Sequence, residues 1–157
     1  MADSYPLLQY QFHLEIAGVS VAQFTEVSGL SMERDVKAVP QGGMNDHVQM
    51  LPGPVKYMDI TLKRGLTYSY DLWVWFQQGL YDLKVERKSG SIFQMDKSGQ
   101  RIRQWDVQEA FPKKYSISDL NAGSGTALIE TLVLAHNGLT LNQAVLTALK
   151  SAPPVYR

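Results

Sequence analysis

Residues 126–136 constrain the fold most, because they form the strongest strand pattern in the chain and are apolar on both faces. The two faces divide the apolar side chains evenly, with Leu128, Leu132 and Leu134 on one and Ile129, Val133 and Ala135 on the other. A strand that is apolar on both faces is buried on both faces. In a single β-barrel of this size, the inner face is covered by the core. The outer face then needs a helix or a neighbouring subunit.

Alternation of apolar and polar residues predicts further strands along the chain. Together with 126–136 they make about eight, at residues 10–16, 21–27, 31–39, 56–64, 91–95, 101–107 and 116–120. Between the fourth and fifth strands, Leu72, Trp75 and Phe76 recur at helical spacing, which predicts one helix at about 69–83 with Ser69 as its N-cap. The predicted fold class is therefore mainly β, an antiparallel barrel or sandwich with one flanking helix.

The connector at about 40–54 contains three glycines and three prolines and has no periodic pattern. A segment of that length without periodicity indicates a long extended loop with a function of its own. The 157 residues predict a single domain, with an N-terminal arm at 1–8 and a C-terminal extension at 139–157. In that extension, Leu141, Val145 and Leu149 predict a short amphipathic helix.

Composition excludes several classes of protein. The chain has no cysteine, which rules out disulfides and thiolate metal sites, and a net charge of zero argues against binding driven by nucleic-acid phosphates. No apolar run approaches eighteen residues and no export signal opens the chain, so we expect synthesis in the cytoplasm and no membrane insertion. Residues 1–60 carry a net −4 and the remainder +4. This split has two equally good explanations: chance, or a molecule with unlike faces that suit head-to-tail contact between copies.

The sequence predicts no enzyme, cofactor or metal site. The three histidines, His13, His47 and His136, are isolated from one another. Asp59 and Glu130 interrupt apolar strands, which makes them the only carboxylates to consider for acid–base chemistry. No phosphate-binding or nucleophile motif is present.

The two tryptophans of the predicted helix leave an alternative function open. Trp73 and Trp75 could form a stacking platform in a monomeric β-sandwich that binds carbohydrate or peptide. In the structural interpretation, Trp75 packs on the barrel and Trp73 lies at a subunit contact, where tryptophan is favoured.

A series of short motifs resembles the tail tube proteins of contractile phage tails and extracellular contractile injection systems. In order, the motifs are FTEVSGL at 24–30, GGMN at 42–45, LPG at 51–53, YMDITLKRG at 57–65 and LW at 72–73, then Trp105, AFPKKY at 110–115, DLNA at 119–122, IETL at 129–132 and AH at 135–136. The resemblance covers residues from about 5 to 140.

This resemblance implies a barrel with a flanking helix, similar to the tube protein of type VI secretion. Six copies would close into a ring, and rings would stack into a tube that carries an effector or DNA. The implied partners are a contractile sheath, baseplate and spike hub proteins and a tape-measure protein. The particle would be a phage virion tail or an injection particle, which is either cytoplasmic or released.

The resemblance also assigns residues to surfaces, with the 40–54 loop reaching an adjacent subunit or ring. The expected subunit or ring interface consists of Gly42, Gly43, Asn45, Leu51, Pro52, Gly53, Tyr57, Trp73, Leu128 and Leu132. The expected lumen residues are Glu15, Glu33 and Asp35.

Overall fold

The computed structural model describes residues 11–16, 19–40, 42–43, 48–81, 84–96 and 98–142. These residues form ten strands and one helix. In chain order they are β1 (Gln11–Ile16), β2 (Val19–Phe24), β3 (Glu26–Ser28), β4 (Met32–Val39), β5 (Gln49–Tyr57), β6 (Ile60–Gly65), α1 (Asp71–Tyr81), β7 (Lys88–Met95), β8 (Arg101–Ile117), β9 (Ile129–Ala135) and β10 (Gly138–Leu141).

Eight of the strands form one antiparallel sheet, the main sheet, in the order β2-β1-β7-β8-β9-β6-β3, with β10 added beside β8. Its two end strands, β2 and β3, are consecutive in the chain and are separated only by Thr25. The sheet therefore curls until its ends adjoin, although within the described residues no backbone pairing joins β2 to β3 to close it. The predicted fold class, mainly β with one helix, is confirmed.

The core follows from alternation along the strands. In β6 and β9, every second residue points inwards, so Ile60 and Leu62 meet Leu132 and Leu134 with almost no exposed surface. The rest of the core comes from the other strands and the helix, including Leu14, Phe24, Leu72, Trp75, Ile92, Val107 and Leu139. The opposite face of β9 is only partly covered, and Ile129 is exposed.

The same inward pattern buries an ion pair. Arg64 and Glu130 are direct partners in the β6–β9 register, and the Arg64 guanidinium donates a hydrogen bond to the Glu130 carboxylate. The Tyr115 hydroxyl donates a second hydrogen bond of 2.6 Å to the same carboxylate. Glu130 interrupts an apolar strand because its charge is satisfied inside the core.

Helix α1 packs through Leu72 and Trp75 against the main sheet. The backbone amide of Val74 donates to the carbonyl of Tyr70, so Tyr70 is the last residue before the helix. Ser69, the predicted N-cap, therefore lies one position before the observed N-cap, and its hydroxyl donates to the carboxylate of Asp71.

Three predicted segments are wrong. Much of the predicted 40–54 loop is strand, because β5 starts at Gln49 and pairs with β4 as a separate two-stranded sheet, the β4–β5 hairpin. The strands predicted separately at 101–107 and 116–120 are joined, since β8 runs from Arg101 to Ile117 through an irregularity between Pro112 and Lys114. Leu141 lies in strand β10 and not in a helix, and Val145 and Leu149 fall outside the described residues.

Candidate assembly surfaces

The β4–β5 hairpin has two unlike faces, which the cross-strand register defines. Directly opposed residues share a face, and side chains alternate along each strand. A register shift between Arg34 and Val36 places one extra residue in β5, next to Gly53. The first face, the apolar face, consists of Met32, Arg34, Val36, Ala38, Met50, Pro52, Val55 and Tyr57. The second face carries Glu33, Asp35, Lys37, Leu51 and Lys56.

The apolar face is largely uncovered by the rest of the chain. Val36 retains 60% of its side-chain exposure and Met50 retains 64%, and Met32 is also exposed. Arg34 lies among them, and its guanidinium donates to the carbonyl oxygen of Gly53 over 3.1 Å. A contiguous exposed apolar surface of this kind marks an interaction site.

The second face of the hairpin is charged. The ammonium group of Lys56 pairs with the carboxylate of Asp35 at 2.7 Å. The Asp35 carboxylate, as hydrogen-bond acceptor and as negative charge, raises the pKa of Lys56. Glu33 lies on the same face, whereas the third predicted lumen residue, Glu15, lies on the main sheet beside Arg101. The structure therefore places the three predicted lumen carboxylates on two different sheets.

The hairpin joins the main sheet through a narrow junction. Gly29 adopts a φ of +82°, and a side chain there would collide with the carbonyl oxygen of Asp59. At the other strand, Tyr57 packs against the ring of His136, with centroids 5.5 Å apart. His136 thus connects the end of β5 to the β9–β10 turn.

A groove of about 720 Å³ opens beside the N-terminal end of α1. Its lining is mostly aromatic and aliphatic, and comprises Gly65, Leu66, Thr67, Tyr68, Ser69, Tyr70, Trp73, Tyr115, Ile117, Ala127, Leu128 and Glu130. Trp73 packs edge-on against Tyr115, with centroids 5.1 Å apart. Tyr68 and Tyr70 retain 98% and 72% of their exposure, so the walls of this groove face solvent.

Two polar residues of the groove, Tyr115 and Glu130, are already engaged with each other. Burial, followed by the hydrogen bond to the Glu130 carboxylate, raises the pKa of Tyr115 well above its ordinary value. Tyr115 therefore stays a neutral donor at physiological pH.

The structure sorts the predicted interface residues into two surfaces. Pro52, Gly53 and Tyr57 lie on or beside the apolar face of the hairpin, with Leu51 on its charged face, and Gly42 and Gly43 are exposed between its strands. Trp73 and Leu128 come together in the groove. Asn45 lies outside the described residues. The prediction for Leu132 is wrong: Leu132 is 0% exposed in the core of its own chain, so its side chain cannot contact a neighbouring subunit.

Several residues of these surfaces were not predicted. On the apolar face, the exposed residues that were not predicted are Met32, Val36 and Met50. In the groove, they are Tyr68 and Tyr70. Two features of the sequence could have indicated these residues. Isolated apolar residues lie among charged ones in 32–39, and two tyrosines lie in a polar turn.

The alternative tryptophan platform does not form. Trp75 is buried in the core, whereas Trp73 faces the groove on the other side of the helix. The two indoles therefore cannot stack on one ligand.

The candidate chemical residues are engaged in structural contacts. The carboxylate of Asp59 pairs with Lys113 at 2.6 Å, and Glu130 pairs with Arg64. His136 lies at the hairpin junction and His13 lies within β1, while His47 falls outside the described residues. In the part of the chain that the structure describes, no three His, Asp or Glu side chains gather as metal ligands, and no helix has the length and apolarity to cross a bilayer.

Comparison with known proteins adds an independent line of evidence. A family model described as the T4-like virus tail tube protein gp19 matches residues 8–140. No curated protein matches the sequence significantly.

Solved structures share the fold. A chain in the cryo-EM structure of the anti-feeding prophage baseplate has a TM-score of 0.77 and 24% identity, covering 88% of this chain and 97% of that chain. A chain in the sheath–tube complex of the PVC extracellular contractile injection system, in its extended state, has a TM-score of 0.77 and 24% identity, covering 89% and 93%. Hcp1 from Flavobacterium johnsoniae is more distant, with a TM-score of 0.53 and 18% identity over 85% and 95%. At these identities the likeness shows a common fold.

Proposed function

Because this chain belongs to the T4-like virus tail tube protein gp19 family, it is a tail tube subunit of a phage tail or contractile injection particle, and we propose that it assembles into stacked hexameric rings. The family is structural and not enzymatic. The stacked rings would enclose a lumen through which an effector or DNA passes.

The observation that carries this proposal is the uncovered apolar face of the β4–β5 hairpin. A two-stranded hairpin is marginally stable by itself in water, and this one keeps Val36 and Met50 more than half exposed. Burial of such side chains against another copy supplies favourable free energy of about 25 cal/mol per Å² of apolar surface. Contacts between two unlike patches generate rings and filaments, as a tube requires.

Partners beyond the chain itself follow from the same proposal. A contractile sheath would cover the outside of the tube, and baseplate, spike hub and tape-measure proteins would meet its end and interior. The related solved chains come from particles described as a sheath–tube complex and a baseplate, which supports the sheath and the baseplate among these partners. The subunit would be made in the bacterial cytoplasm before it joins the particle.

Residue roles complete the proposal. The hairpin, with Gly42, Gly43 and residues 51–53 and 57, would reach an adjacent subunit or ring. Trp73 and Leu128 would lie at a second subunit contact. Glu15, Glu33 and Asp35 are proposed to face the lumen, where carboxylates repel a polyanion such as DNA and prevent it from adhering.

A shortened hairpin tests the proposal. Replacement of residues 36–52 by Asn-Gly removes the exposed part of the apolar face and keeps the Met32–Tyr57 and Arg34–Val55 pairs at its base. We expect the wild-type protein to form hexameric rings and tubes in electron micrographs and by sedimentation, and the shortened variant to lose stacking with an unchanged circular dichroism spectrum. A wild-type protein that stays monomeric at high concentration would refute the proposal.

A further inference from the structure

We propose that the groove beside α1 is the docking site for the apolar face of the β4–β5 hairpin of a second copy of this chain. This inference rests on the proposed self-assembly and specifies which two surfaces meet. Both surfaces are apolar, both are exposed, and they differ in shape, one projecting and one concave.

The two surfaces lie at opposite ends of the same strand, β6. The hairpin leaves the main sheet just before Ile60, where β6 pairs with Leu134. The groove opens just after Gly65, where β6 pairs with Ile129. Five residue steps separate these ends, which is about 17 Å at the usual rise of a strand. The hairpin projects from one end and the groove opens at the other, so the hairpin that fills a groove belongs to another copy.

The character of the two surfaces is also complementary. Glu130 is the single charged residue among those that line the groove, and Arg34 is the single charged residue on the apolar face. Glu130 is buried and already paired with Arg64, and the Arg34 guanidinium is hydrogen-bonded to the Gly53 carbonyl, so contact between the surfaces brings no unpaired like charges together. The remaining contact is aliphatic against aromatic, with Met32, Val36 and Met50 facing Tyr68, Tyr70 and Trp73.

The size of the groove fits several side chains of a hairpin. Its volume of about 720 Å³ lies well within the range of sites that take multi-group ligands. Successive cross-strand pairs on the apolar face, Val36 with Pro52 and Ala38 with Met50, present a continuous apolar strip to such a cavity.

The polarity of the contact determines the geometry of assembly. A donor surface at one end and an acceptor surface at the other form a heterologous, head-to-tail contact, in which every added copy offers a new donor. Rings joined in this way stack in one direction, and their two terminal faces remain chemically different.

Cysteine cross-linking can test this docking site, because the chain contains no cysteine of its own that would form other disulfides. We mix the single variants Val36→Cys and Tyr70→Cys, both at exposed positions, under conditions that assemble the wild-type protein, and then oxidise them. The expected product is a disulfide-linked dimer that requires both variants. The variant carrying both substitutions should give a ladder of higher multimers on a non-reducing gel.

The matched control is Lys37→Cys mixed with Tyr70→Cys, because Lys37 lies beside Val36 on the opposite face of the hairpin. We expect at least tenfold less cross-linking from this pair. If tubes form but both pairs cross-link equally, or Val36→Cys does not cross-link at all, the proposed docking site is wrong. The proposed function then remains intact. Dimers from Val36→Cys alone also overturn the proposed docking site, because they indicate face-to-face pairing of hairpins. A wild-type protein that never assembles refutes the proposed function instead.

Discussion

Nε2 of His136 lies 2.9 Å from the carbonyl oxygen of Met58, and this contact fastens the end of the β4–β5 hairpin to the main sheet. The other ring nitrogen, Nδ1, lies 3.1 Å from the carbonyl oxygen of Gly138. One side chain thus spans the hairpin junction and the β9–β10 turn, and the ring also packs against Tyr57.

Removal of this ring should loosen the hairpin without unfolding the main sheet. We expect His136→Ala to increase amide hydrogen exchange in β4 and β5 and to lower the global free energy of unfolding by only about 1–2 kcal/mol. Exchange measured by mass spectrometry checks this. Exchange that rises equally in β6 and β9 would contradict a local role.

A charge on the apolar face of the hairpin should impair assembly while the monomer stays folded. Val36→Asp is expected to raise the concentration needed for tube formation at least about tenfold, because about 1.4 kcal/mol of contact energy corresponds to that factor. Light scattering against concentration measures it. Lys37→Asp on the charged face is the control for the added acid. Equal effects from both would show that the apolar face has no special role.

The buried ion pair should be costly to break and cheap to replace. Glu130→Ala leaves the Arg64 guanidinium buried without its carboxylate, and we expect a loss of about 3–5 kcal/mol in the free energy of unfolding. The double variant Arg64→Met/Glu130→Leu removes both charges and should recover most of this loss. Urea denaturation gives both values. A double variant as unstable as the single one would mean that the charges are needed for more than mutual compensation.

Tyr115 should make the protein sensitive to high pH. Its pKa is raised in the folded state, so the folded protein holds this proton more tightly than the unfolded chain does. The contribution to stability is complete below the unfolded tyrosine pKa of about 10 and is lost progressively as the pH rises above it. We expect Tyr115→Phe to flatten the decline in the free energy of unfolding above about pH 10, whereas Tyr68→Phe, at an exposed position, should not.

Two glycines with the same backbone conformation should respond differently to alanine. Gly29 and Gly99 have φ angles of +82° and +81°, but only Gly29 has a backbone carbonyl where a Cβ would sit. Gly99→Ala should cost about 1–2 kcal/mol from the left-handed conformation alone. Gly29→Ala adds a collision with Asp59 and should cost about 2–5 kcal/mol in thermal or urea unfolding. Equal losses would show that the junction yields to the extra methyl group.

The sequence predicted the parts of the fold in which a local pattern matches the local structure. The alternation in β1 and β6 and the helical spacing of Leu72, Trp75 and Phe76 each reflect burial on one side, so periodicity identified them. The division of β9 into two faces was also predicted, with Leu132 and Leu134 inside, whereas the predicted burial of the outer face is not reached within the described chain, where Ile129 is exposed.

The rest depended on partners far away in the chain. Pro52 and Pro54 break the usual strand pattern, but β5 pairs on one side only within the described residues, and an edge strand tolerates proline. Likewise, Pro112 sits next to a register shift that lets β8 continue. The carboxylate of Glu130 gave no local sign that Arg64, sixty-six residues away, would neutralise it.

The candidate surfaces were predicted only in part, for a related reason. Trp73 and Leu128 were predicted as interface residues from the helix and from the strand that is apolar on both faces, yet the groove that unites them depends on the turn containing Tyr68 and Tyr70. Which face of the hairpin Met50 and Pro52 occupy depends on the register shift next to Gly53, which no local sequence pattern indicates.

The prolines of β5 have a consequence for copies that have not yet been used. Pro52 and Pro54 carry no amide hydrogen, so the outer edge of that strand is a poor template for another strand. Unassembled subunits are therefore less prone to fibrillar aggregation along this edge, even though the apolar face of the hairpin is exposed. Along this edge of β5, backbone pairing is therefore a poor competing route to disordered polymer, and attachment depends on complementary side-chain surfaces.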